Sequence, residues 1–118
     1  MTILLTWIIL FSLSDNPPGT IKVKNLYVDK TEIQNIHWLE YVYHKGQGLD
    51  SAAIKKLLPD TSNYWYANPA HRHQPIVLIS YEQAVDYCAW RSQLVSERTG
   101  RKITYRLPTV NEWRDIAK

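Results

Sequence analysis

Apolar and polar positions change period several times along the chain, and each change predicts an element. The stretch "TIKVKNLYVDKTEI" (20–33) alternates, which predicts two short strands joined by a turn at Lys24-Asn25. In "IHWLEYVYH" (36–44) the apolar residues recur at helical spacing: Ile36, Leu39 and Tyr43 share a face, with Trp38 and Val42 beside them. Asn35 stands where an N-cap belongs. "KGQG" ends that helix, and a shorter one, "AAIKKLL", opens at Asp50 or Ser51 and stops at Pro59. "PIVLIS" (75–80) is a continuous apolar run and reads as a buried strand. Ser80-Tyr81-Glu82-Gln83 has the form of a capping box, and the helix after it runs to Thr99, with Gly100 as its stop. Its core stripe reads Tyr81, Ala84, Val85, Cys88 and Val95. "KITYRL" alternates again, with Ile103, Tyr105 and Leu107 on one face. Thr109 to Glu112 is a second capping box, leading a helix through Trp113, Ile116 and Ala117.

Residues 59–75, "PDTSNYWYANPAHRHQP", have no period. Loops this long are uncommon unless they are pinned or functional. Tyr64, Trp65 and Tyr66 are expected to pin it; the functional alternative is a ligand loop made of Tyr64, Trp65, Tyr66, His71 and His73, able to stack on a sugar or a peptide. His71-x-His73 in an extended segment would turn both rings to one side, as metal ligands do, but a site needs a third protein ligand and none stands at a telling spacing. No metal and no other cofactor is expected. Asp29, Glu32 and Asp60 read as turn and cap residues, with no second acid fixed near any of them for paired carboxylate chemistry.

Composition narrows the classes. At 118 residues, 45% hydrophobic and 21% charged, the chain is long enough for one domain with a usable core. Five Trp and eight Tyr stand against one Phe, which suggests polar seams in that core, because indole and phenol groups want hydrogen-bond partners. The net charge of +3 is scattered, densest at Arg101-Lys102 and Lys22/Lys24, without the clustered basic face of a nucleic-acid binder. One cysteine, Cys88, excludes an internal disulfide, and its place on a core stripe reads as a small buried hydrophobe.

The first fourteen residues, "MTILLTWIILFSLS", carry no charge and ten apolar side chains. They are too few for a stable membrane span, which takes about 20 residues. A secretory leader is the natural reading, with Ser12 and Ser14 as the small residues before a cleavage point, and it implies export to the periplasm or cell surface. The alternatives are an uncleaved membrane tether, and a buried strand or a mis-assigned start, with the protein then cytoplasmic.

"PIVLISYEQAVDYCAWRSQ" and "YRLPTVNEWRDIAK" resemble the formylglycine-generating enzyme (sulfatase-modifying factor) superfamily. The matching residues are Pro75, Ser80, Tyr81, Ala84, Tyr87, Cys88, Trp90, Arg106, Leu107, Pro108, Thr109, Glu112 and Trp113. "LYVDKTEIQNIHWLEYV" is similar to the family's opening strand and helix: Glu32, Ile33 and Asn35 keep the shape of its Glu-Val-Thr-Asn signature, and Gln34 replaces Thr. The wording also resembles the branch that contains the gliding-motility lipoproteins of Bacteroidetes. The resemblance covers residues 20–118 and implies the family's irregular α+β fold, related to C-type lectins. The family's enzyme oxidises a sulfatase cysteine to formylglycine with oxygen and with copper held by two cysteines. The resemblance places those cysteines, and most calcium ligands, in the second half of the family domain. The expectation is therefore a truncated, non-catalytic structural or binding module. The other readings are a split oxidase whose protein partner brings the cysteines, and a homodimer covering the missing half.

Overall fold

The computed structural model describes residues 6–9 and 16–117, the first four by their backbone. The elements in chain order are β1 (Thr6–Ile9), β2 (Thr20–Val23), β3 (Leu26–Asp29), α1 (Asn35–Lys45), α2 (Ser51–Lys55), α3 (Tyr81–Thr99), β4 (Ile103–Arg106) and α4 (Val110–Ile116), which makes an α+β chain. Among the described residues, no helix is long and apolar enough to cross a membrane. The residues gather into two compact units: 32–84, and 6–9 with 16–31 and 85–117. The leader reading of residues 1–14 lies largely outside the described residues; the four that are described form β1.

In the second of these units the four strands make one antiparallel sheet, ordered β2-β3-β1-β4. The hairpin turn falls at Lys24-Asn25 as the alternation predicts, with Val23 opposite Leu26. Lys24 takes φ +54°, a conformation that usually calls for Gly, and its ammonium reaches Asp115 at 3.0 Å. The outer side of β4 faces α3. Ser92 Oγ accepts the Tyr105 amide at 2.7 Å and donates to the Cys88 carbonyl at 2.8 Å; Ser96 Oγ accepts the Ile103 amide at 2.9 Å. The match is geometric: four helical residues rise about 6 Å, close to the about 6.6 Å between alternate strand residues. Ile103, Tyr105 and Cys88 are buried beneath this seam.

α3 starts and stops where its sequence says. The Gln83 amide donates to Ser80 Oγ at 3.1 Å, the Ser80 amide donates to Gln83 Oε1 at 2.8 Å, and Gly100 follows the last turn at φ +70°. Its buried face is Ala84, Tyr87 and Cys88. Tyr81 and Val85, expected on that stripe, are 72% and 41% exposed; the polar side of the stripe is taken instead by Ser92, Ser96 and Arg91.

In the 32–84 unit, α1 is rotated from the expected face. Trp38 and Tyr41 are buried, with rings edge to face at 5.0 Å, while Ile36 and Tyr43 are exposed. Indole chemistry explains the choice: Trp38 Nε1 donates to the Leu57 carbonyl at 2.9 Å, so the large ring can be buried without losing a bond. The N-cap is Gln34. Asn35, expected there, is fully buried in the first turn, and its Nδ2 donates to the His71 carbonyl at 2.8 Å. At the other end Gly46 is required by space, since a Cβ there would lie 2.6 Å from the Val42 carbonyl oxygen.

The strand expected over 75–80 does not form. Only an isolated bridge pairs Gln34 with Pro75, and Leu78 turns the chain with φ +63°. Ile76 is buried as the apolar run requires, but the run's polar groups are satisfied one at a time. The Ile76 amide donates to the Ile33 carbonyl, Val77 O accepts from Asn63 Nδ2, and Leu78 O accepts the Asp60 amide.

Candidate functional site

The loop 59–75 is held at its base by polar residues. Asp60 Oδ1 accepts the Ser62 amide at 2.9 Å and the Ser62 hydroxyl at 2.6 Å, and these bonds hold its carboxyl below the usual range. The Asn63 amide donates to the Asp60 carbonyl at 2.8 Å. Asn63 itself is buried, and its Nδ2 donates to the Val77 carbonyl at 2.9 Å. Beyond the tip, the Asn68 amide donates to the Trp65 carbonyl at 2.9 Å and Asn68 Oδ1 caps a 3-10 turn over Pro69–His71.

Between these two anchors stand the aromatics. Trp65 and Tyr66 are half-buried, and burial raises the Tyr66 phenol. Tyr64 is 87% exposed, its ring edge-on to Trp65 at 5.3 Å. Tyr64 is thus no pin; the buried Asn63 is. The histidines do not pair. The chain at 71–74 turns rather than extends, so the two rings have separate surroundings. His71 is half-buried and His73 is exposed, with Nδ1 3.1 Å from Gln34 Oε1. Among the described residues, no three His, Cys, Asp or Glu side chains gather as a metal site. One feature of the loop region went unforeseen: a reciprocal cap formed by Gln34 and His37, in which the Gln34 amide donates to His37 Nδ1 at 3.0 Å. The signal was the three-residue spacing of a capping box, written in uncommon residue types.

The sulfatase-modifying factor enzyme 1-like domain model matches residues 9–118. The chain belongs to that family. No curated protein and no solved structure matches it.

Within the sulfatase-modifying-factor-like family, the enzyme's copper calls for two thiolates, which suit a soft ion. These 118 residues hold one thiol. Burial pushes Cys88 up to about 12, with Arg91 opposing and Asp29 adding to the rise. A protonated thiol enclosed by α3 and β4 is a packing group, and the residues present do not fit the family's copper.

The family's Arg-Leu-Pro-Thr-x-x-Glu-Trp stretch acts here as a staple. Glu112 Oε1 accepts the Thr109 amide at 2.9 Å, and the same carboxylate takes both Arg106 Nη groups at 2.7 and 2.8 Å. Arg106 and then the Thr109 amide pull Glu112 down to about 2. A carboxyl depressed below its ordinary 4.5 contributes stability that is complete above that value and is lost as pH falls toward 2. Arg106 is 40% exposed, so water screens the pair and the expected contribution is about 1 kcal/mol. Urea unfolding of the wild type and Glu112→Gln should differ by that amount at neutral pH and converge near pH 2; a constant difference across this window would contradict the assignment.

Proposed function

We propose that these residues form a non-catalytic binding module of the sulfatase-modifying-factor-like family, on a C-type-lectin-like framework, with loop 59–75 presenting Tyr64 to an extended ligand, a saccharide or a peptide. The observation that carries this reading is Tyr64 itself: a tyrosine 87% exposed on a loop anchored at both ends. A rigid aromatic has little side-chain freedom to lose on binding, which is why such residues anchor interfaces. The protonated, buried Cys88 supports the non-catalytic part of the reading.

Retention in gels containing soluble polysaccharides, and on a peptide array, tests it. Tyr64→Ala should remove retention with the melting temperature unchanged, whereas Asn63→Ala should lower the melting temperature. A wild type retained by neither probe would sink the reading.

A second reading is a component of a split oxidase whose partner brings the paired cysteines. It is supported by family membership and by α4, which buries no residue fully and leaves Val110 70% exposed. Defined assembly with a cysteine-bearing partner chain, and formylglycine formation by the pair, would favour it. Export belongs to either reading; cleavage after Ser14 would remove β1 from the sheet, so the N-terminal residue of protein recovered from the native cell decides between a leader and a strand.

A further inference from the structure

The first turn of α1 is closed by groups of its own unit. The Asn35 and Ile36 amides donate to the carbonyls of Gln74 at 2.8 Å and Arg72 at 2.9 Å. Asn35 Nδ2 adds its bond to the His71 carbonyl. The Gln34 amide is taken by a side chain, His37 Nδ1, at 3.0 Å, and Gln34 offers its own Oε1 to His73 Nδ1 at 3.1 Å.

The two imidazoles meet opposite demands. His37 Nδ1 accepts an N–H, so it must be the bare nitrogen of a neutral ring. His73 Nδ1 meets an oxygen, so it is the protonated nitrogen, and that bond survives whether the ring is neutral or charged. Protonating His37 turns its Nδ1 into a donor facing a donor. It also sets a cation at the positive end of α1, whose first turn has no acidic residue. Glu40, one turn along α1, and Glu32, ahead of the helix, favour that cation; Arg72 and the rings of His71 and His73, on the segment bonded to this turn, oppose it. Glu40 is exposed and screened, whereas the lost bond lies in the cap itself.

We propose that His37 is a pH-operated latch: its neutral ring closes the first turn of α1 against residues 71–75, and protonation in mild acid opens that turn and loosens the segment. Imidazole is the side chain that ordinarily changes charge between about pH 5 and 8. The segment released is the C-terminal end of loop 59–75, so acid loosens that loop from one side. The latch acts on the backbone whether or not the loop binds a ligand.

Amide exchange on the whole chain tests it, read by NMR from about pH 7.5 to about 5 and corrected for intrinsic rates. The Gln34, Asn35 and Ile36 amides of the wild type should lose roughly five- to tenfold in protection relative to α3, the size of a lost cap. His37→Gln keeps an acceptor that cannot titrate and should hold protection flat; His73→Gln should leave the loss in place. In the wild type the His37 ring should titrate with the same midpoint as the loss of protection. Flat protection in the wild type, an unchanged loss in His37→Gln, or a ring midpoint apart from the protection midpoint would each overturn the proposal.

Discussion

Replacing Arg91 with methionine should destabilise the unit formed by 16–31 and 85–117 by about 3–5 kcal/mol, the usual cost of leaving one buried charge without its partner. The Arg91 and Asp29 side chains are 16% and 7% exposed, and they bond twice, with Nη2 2.8 Å from Oδ1 and Nη1 on Oδ2. The guanidinium also lies over the Tyr105 ring, 4.1 Å from its centre. Methionine fills the space but leaves the buried Asp29 carboxylate without the partner that takes both its oxygens. Changing Asp29→Leu as well removes both charges and should recover most of the loss, because replacing a whole buried pair by apolar residues is often neutral or better. Urea unfolding of the wild type, the single variant and the double variant measures this directly. A double variant as unstable as the single one would mean that the pair contributes net stability rather than only demanding to be kept whole.

Ile8→Pro should cost about 3 kcal/mol or more, on the scale of proline in the interior of a regular element. Ser92 and Ser96 take the Tyr105 and Ile103 amides, so the amides of Thr104 and Arg106 are the ones that face β1. Ile8 lies opposite Thr104, at a ladder position of a strand paired on both sides. Proline has no N–H to give there, and sheets admit it only at edges and bulges. Lys22→Pro, on the edge strand β2, is the control and should cost less. The experiment also bears on residues 1–14 as a leader: full-length protein indifferent to Ile8→Pro would show that these residues add nothing to the fold.

The parts of the chain legible in sequence were those fixed by close neighbours. Ser80 with Gln83, Thr109 with Glu112, and the turn at Lys24-Asn25 each need only a few residues to be specified, and each forms as expected. The run 75–80 misled because its apolar residues report burial, which Ile76 fulfils, whereas Leu78 at φ +63° leaves no mark in an apolar pattern. The same limit hid the loop's true pin. Asn63 acts through the Val77 carbonyl, fourteen residues away, and nothing local separates it from Tyr64, the residue actually left in solvent. Arg91 and Asp29 are sixty-two residues apart, beyond any periodicity. Cys88 was legible because a lone thiol between apolar helix positions has few other places to go.

The serine seam along β4 has a consequence for how copies of this chain can stick together. A sheet grows by offering unpaired amides to a new strand. At β4 the outward amides of Ile103 and Tyr105 are already spent on side chains of the same molecule. Growth of the sheet is therefore left to the other edge strand, β2, a four-residue strand that carries the exposed Ile21 with Lys22 next to it. Edge-to-edge stacking of copies would have to begin there, against the like charge of Lys22, and Lys22→Thr is the change that would lower that barrier.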